Sequence, residues 1–335
     1  MFTKSSMDWF ESILSVDALG MLPSYELSDS FESIASSCST AALEVIDKEI
    51  NDYILSVPLE DTLFLIGSGP SLKKVDMSLL KGLNTLGMNR QYISYKEWGF
   101  YPKHYVCIDR RLVGSITSRD PKYMDYSDTI YPHMIENPEC TTETYCFRGS
   151  EESIEGYFKD ANCGPYHSWS QGPLDLSFVD SSGCRSVGEK IPFSGNCGAY
   201  STLVSFLYGY KRVVLLGING GYAGRERSTA AGEDLDHYHP QYFDVTKFKQ
   251  GENQGPDDHT SGLFYWYLLS RFGKTEMDRE AFMGWEDKYH LDIISCSPDS
   301  MISMGEGAEI PGSAPNTLGC FPYMDLQHYL ELHDK

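Results

Sequence analysis

The sequence has no run near the 18 consecutive apolar residues that a membrane-spanning helix needs. It has no long apolar stretch near Met1–Leu14, so this segment does not read as a secretory signal. It has no surplus of positive charge: 27 Lys and Arg stand against 48 Asp and Glu, a formal charge of −21. That balance argues against a nucleic-acid binder, which needs a basic face. It also argues against electrostatic attachment to anionic lipid. A nucleotide ligand stays open, because backbone N–H groups hold phosphate without net positive charge. The nine cysteines are odd in number and contain no Cys-x-x-Cys pair. A disulfide framework and a cysteine zinc site are therefore not expected, and a reducing, cytoplasmic setting is.

What is present is a chain of 335 residues with 41% hydrophobic and 22% charged residues, an ordinary globular balance. Residues 1–58 read as a helical N-terminal extension. Trp9, Phe10, Ile13 and Leu14 recur at helical spacing, as do Ala42, Leu43, Ile46, Ile50, Tyr53 and Ile54. No chemical motif lies there, so a packing or oligomerisation role is expected, and a homo-oligomer follows from the second.

From Thr62 the pattern becomes short apolar runs alternating with helical segments. Strands are expected at Leu63–Ile66, Thr85–Met88, Tyr105–Ile108, Thr129–Tyr131, Tyr145–Phe147, Arg212–Ile218 and Leu291–Cys296. Helices are expected at Ser71–Leu80, Gly195–Tyr208 and Ser261–Phe272. Apolar strands alternating with helices indicate an α/β fold, a mostly parallel sheet with helices on both faces. Residues 59–300 form this domain. The polar stretch 149–190 has no clear period and reads as a lid-like insertion. Residues 301–335 read as a Gly/Pro/Ser-rich tail with a short helix, Met324–His333.

Three polar strand ends carry the chemistry. The first strand runs into Gly67-Ser68-Gly69-Pro70-Ser71, and a helix is expected at once. Freed N–H groups there suit a phosphate or a ribose hydroxyl. Neither a Walker A loop nor the full dinucleotide fingerprint is present, and such a turn serves equally as a plain tight connection. The second strand ends in Met88-Asn89, and the third in Ile108-Asp109. A second block opens a helix with Ser194-Gly195 and leads through Gly209-Tyr210-Lys211-Arg212 into a strand ending Gly217-Ile218-Asn219. All these ends point to one edge of the sheet, where open α/β sheets bind ligands.

Taken in order, Gly-Ser-Gly-Pro-Ser-Leu, Met-Asn, Ser-Gly, Gly-Tyr-Lys-Arg and Gly-Ile-Asn resemble the bacterial sialyltransferases of glycosyltransferase family 42. They are also similar to the wider group of motility-associated-factor glycosyltransferases and MptE-like proteins. The resemblance covers about residues 62–300. It implies a Rossmann-like (GT-A-variant) transferase that moves a sialic-acid-like sugar from a CMP-activated donor to a hydroxyl of a glycan or glycoconjugate, with inversion. By the same resemblance the nucleotide-binding residues are Gly67, Ser68, Gly69, Pro70, Ser71, Asn89, Asp109, Ser194, Gly195, Gly217 and Asn219. Tyr222 would meet the departing phosphate. The family often has Asn within the first glycine pair, where this chain has Ser68.

Two segments compete to supply the general base. Asp257-Asp258-His259-Thr260-Ser261 is similar to the family's His-Ser segment and is preferred. Asp236-His237-Tyr238-His239-Pro240-Gln241-Tyr242 resembles an aromatic histidine signature of the wider group. An unperturbed imidazole titrates near neutral pH, and a carboxylate such as Asp258 would stabilise the imidazolium. The plainer reading makes His237 and His239 loop residues packing on Tyr242. Asp234 and Asp236 have the Asp-x-Asp spacing of metal-dependent transferases, which raises Mg²⁺ or Mn²⁺. In a chain with 48 acidic residues such spacing arises by chance, and the family resembled requires no cofactor, so the metal is the lesser reading. Two other functions are weighed: an ATP- and Mg²⁺-dependent diphosphokinase like the MptE-like proteins, and a nucleotide- or glycan-binding protein without catalysis. Peripheral membrane association is the variant of the cytoplasmic placement.

Overall fold

The computed structural model describes residues 40–107, 130, 133–134, 137–148, 166–169, 174–180, 183–191, 197–219, 231–242, 292–298, 300, 303–304 and 321–334. In chain order these form α1 (Thr40–Leu55), β1 (Thr62–Ile66), β2 (Thr85–Met88), α2 (Tyr95–Trp98), β3 (His104–Cys107), β4 (Thr144–Arg148), β5 (Tyr166–Trp169), β6 (Leu174–Asp180), β7 (Gly183–Ile191), α3 (Cys197–Leu207), β8 (Arg212–Leu216), β9 (Asp292–Ser295), β10 (Ser303–Met304), β11 (Phe321–Pro322) and α4 (Leu326–His333).

The main sheet has the order β7-β6-β5-β4-β3-β2-β1-β8-β9. Six neighbours, β4-β3-β2-β1-β8-β9, are all parallel. Every residue of β1 and β8 is buried, as a parallel sheet covered on both faces requires. Alternate residues face opposite layers. Phe64, Ile66, Val214, Leu216 and Ile294 share one core cluster with Ile54 of α1 and with Leu326, Tyr329 and Leu332 of α4. The other face meets α3, which packs against β1, β2, β3 and β8. The described helical parts of residues 1–58 and 301–335 therefore form one layer of the sheet domain.

The chain lays β1 to β4 outward in sequence, then returns to place β8 on the far side of β1. Strand order reverses between β1 and β8, and such switch points open a crevice beyond the strands' carboxyl ends.

Three expectations are corrected. Ser71–Leu80 is not one helix but two 3₁₀ turns, Pro70–Lys74 and Met77–Leu80. Asp76 causes the break: its carboxylate accepts the Ser78 N–H (3.0 Å) and the Ser78 hydroxyl (2.6 Å), which starts a new turn. Ile130 is helical rather than extended and fully buried; a three-residue apolar run has too little length for periodicity to separate the two. Within 149–190, β5 pairs parallel with β4, and β6 and β7 form an antiparallel hairpin. These described parts extend the sheet. Their polar alternation suits outer strands, whose sequence lacks the continuous apolar signal of β1 or β8. The helix expected at Ser261–Phe272 lies outside the described residues.

A candidate site at the carboxyl edge of the sheet

The loop after β1 leans directly on the loop after β8. Gly67 N–H donates to Leu216 O (2.6 Å) and Gly69 N–H to Gly217 O (2.8 Å). The Asn219 side-chain oxygen accepts from the Ser71 hydroxyl (2.8 Å) and the Ser71 N–H (3.3 Å). A Cβ on Gly69 would lie 2.1 Å from that oxygen, so the glycine is required by close approach. These N–H groups bind the protein itself. The loop forms a clasp across the switch point.

Beyond β2, Asn89 holds a left-handed conformation, φ +49°, which only a few per cent of non-glycine residues adopt and asparagine favours. Its carbonyl accepts from the Tyr105 hydroxyl (2.5 Å) and its side-chain oxygen from the Cys197 thiol (3.4 Å) at the start of α3. Gln91, fully buried, spends its side-chain amide on Ile66 O (2.7 Å) and Gly67 O, and accepts from Met88 N–H (2.9 Å). One side chain thus locks the ends of β1 and β2 together.

Residues 234–242 lie over this edge as a strap. Tyr238 N–H donates to Ser68 O (3.0 Å), and the Ser68 hydroxyl donates to the Tyr242 hydroxyl (3.3 Å). Arg90, buried, hydrogen-bonds Tyr242 O and lies 6.0 Å from the Tyr242 ring centroid. Tyr238 stands against Trp98 at 5.6 Å. Burial pushes the Tyr242 hydroxyl far up, against the opposing hydrogen bond from Ser68, and burial likewise raises Tyr238. Both therefore act as neutral groups.

Within the strap, His237 stacks on Tyr242 with centroids 3.9 Å apart and planes 5° from parallel. Its Nδ1 lies 2.9 and 3.1 Å from the two oxygens of Asp234, which is 6% exposed. The carboxylate fixes the tautomer: Nδ1 carries the hydrogen and Nε2 becomes the basic nitrogen. His239 instead accepts the Gln241 N–H at Nδ1 (3.1 Å), and burial lowers its pKa.

The structure brings Ser68, His237, Tyr238 and Tyr242 together, and Gly69, Ser71, Gly217 and Asn219 beside them. Asn89 lies on the same edge. Asp109, Ser194, Gly195, Tyr222, Asp257, Asp258 and His259 lie outside the described residues. His237 does pack on Tyr242, as the plainer reading had it, but with a carboxylate partner. Asp234 is committed to that histidine and to the Asp236 N–H (3.0 Å), and no three metal-ligating side chains converge among the described residues. Sequence reasoning missed Arg90, Gln91 and the Asp234–His237 pairing. The signal available was the i, i+3 spacing of Asp234 and His237 and the polar pair directly after Met88-Asn89.

Cys107, Cys140, Cys146, Cys197 and Cys296 form no disulfide. No helix among the described residues is long and apolar enough to cross a membrane. No family model matches the chain, and neither does any curated protein or solved structure.

Proposed function

We propose that this protein is a glycosyltransferase that moves a sugar from a nucleotide-activated donor, CMP-linked in the first instance, to a hydroxyl of a glycan. The observation that carries the proposal is the Asp234–His237 pair, held over Ser68 at the switch-point edge of a parallel sheet. The resemblance of the strand-end motifs supplies the donor class.

The chemistry runs as a single displacement. The acceptor O–H breaks and its proton passes to His237 Nε2. The acceptor oxygen bonds to the anomeric carbon, and the bond from that carbon to the phosphate oxygen breaks, its electron pair leaving with the nucleotide. Asp234 keeps the ring oriented. Arg90, buried beside the strap and bonded to Tyr242 O, supplies positive charge that favours departure of the phosphate. His237 takes the role here because its carboxylate partner is in place.

The test is a thermal-shift panel of CMP, CDP, UDP, GDP and ATP, followed by transfer from the selected nucleotide sugar. A ligand at a hundred times its Kd should stabilise the native state by about 2.7 kcal/mol. Selective stabilisation by CMP is expected. His237→Gln should then lower kcat by roughly 10²–10⁴-fold, the range that general-base catalysis supplies, while CMP still stabilises the variant. Stabilisation by ATP with Mg²⁺ alone would overturn the reading in favour of phosphoryl transfer.

A further inference from the structure

A cleft of about 640 Å³ opens at the opposite, amino-terminal edge of the sheet, beside the starts of β2, β3 and β4. Its floor is aromatic. Phe100 is buried, and Tyr101 is half-buried with its ring set edge-on against Tyr95 at 6.0 Å. The Asn137 side chain donates to the Tyr101 hydroxyl (2.6 Å), which pins that ring as a platform. The rim is polar and charged. Lys81 and Lys96 are exposed and make no ion pair among the described residues, whereas Lys103 already reaches Asn84 Oδ1 (3.2 Å) and Glu143 (3.9 Å). With Glu139 and Glu143 the lining carries three cations and two anions, a local balance of +1 in a chain of −21.

We propose that this cleft is a second ligand site, distinct from the transfer site, and that it takes an acidic saccharide whose ring bears a carboxylate. The volume suits one or two sugar rings within the usual range for small-molecule sites. The apolar face of a ring rests on Phe100 and Tyr101. Its hydroxyls meet Thr141, exposed at the rim, while the buried Thr85 and the Asn84 side chain, already bonded to backbone carbonyls and to Lys103, shape the wall. The carboxylate is met by Lys81 and Lys96. Each carboxylate brings one charge to the two exposed lysines, while a phosphate dianion would set two charges on one group beside the two glutamates on the rim.

The probe is digalacturonate, titrated calorimetrically into the full chain at low salt, with its dimethyl ester and sodium sulfate as comparisons. Digalacturonate should bind, the ester and sulfate should bind more weakly, and Lys81→Ala/Lys96→Ala should lose about tenfold in affinity, the scale of two exposed charge pairs removed together. Both lysines are exposed, so this variant should keep the wild-type melting temperature. Tyr101→Ala, which leaves both charges in place, should also weaken binding. Absence of digalacturonate binding, equal binding of the ester, or unchanged affinity in the double-lysine variant would each overturn the proposal. None of these outcomes bears on the nucleotide panel, so the two readings fail separately.

Discussion

Gly87 in β2 leaves no room for a side chain. A Cβ there would lie 1.9 Å from the Tyr95 hydroxyl and 2.9 Å from Pro102. Gly87→Ala should therefore destabilise the protein by about 1–3 kcal/mol, the usual cost of overpacking, seen as a lower melting temperature. The Tyr95 hydroxyl is buried without a hydrogen-bond partner among the described residues. Tyr95→Phe should cost little, and it should rescue part of the Gly87→Ala loss, since the Tyr95 ring carbon and Pro102 stay 2.9 Å from the added Cβ. A double-mutant cycle measures that coupling; simple additivity would refute it. At this scale the sequence showed Ser68, Asn89 and Asn219 as polar strand ends, since their position relative to apolar runs is local information. It could not show that Asn219 serves Ser71, nor that Asp234 serves His237. Those partnerships depend on which loops the sheet order sets side by side.

Among the elements, β8 is tied to its neighbours by a buried charge. Arg212, fully buried, donates from Nε to Asp292 of β9 (2.8 Å), from Nη2 to Tyr53 O (3.0 Å), and to Ile54 O in α1. Its guanidinium also lies 4.9 Å from the Tyr53 ring centroid. Removing one partner leaves an uncompensated charge in the interior. Asp292→Ala should cost about 3–5 kcal/mol, whereas replacing both groups, Arg212→Met with Asp292→Leu, should cost much less. Urea midpoints of the two variants check this. Arg212 was legible only as the residue that opens a strand; its role needed α1 to be laid across the edge. The strands themselves were legible because a doubly covered parallel strand must be apolar throughout. Residues 71–80 were not, because a carboxylate at position 76 outbids the helix for its own N–H groups, and periodicity does not register that competition.

For the whole molecule, the sequence disclosed the α/β class but neither the width of the sheet nor the joint layer made by α1 and α4. The 23 tyrosines carry a further consequence. Burial raises the hydroxyl pKa of Tyr95, Tyr105, Tyr208 and Tyr242, and pushes Tyr210 up to about 12. In the unfolded chain they titrate near about 10. Below that value both states hold their protons and the stability is intact. Above it the unfolded chain sheds protons that the native state keeps, so stability falls by about 1.4 kcal/mol per group for each pH unit. The protein should unfold cooperatively as pH rises above about 10. Exposed tyrosines such as Tyr323 should ionise gradually, but the last part of the tyrosinate absorbance should appear only with the loss of circular dichroism, and ionisation of all 23 tyrosines before unfolding would contradict this.

The rim strand β9 has its outer side taken up by the residues just before α4: Ser295 bridges Tyr323, and Met324 N–H donates to Ser295 O (3.0 Å). That segment works as a guard against strangers. An unguarded ribbon of N–H and C=O groups is a template on which other copies assemble into aggregates. Met324→Pro, which removes that N–H and leaves α4 in the core, should therefore turn a well-behaved protein into one whose light scattering climbs with concentration.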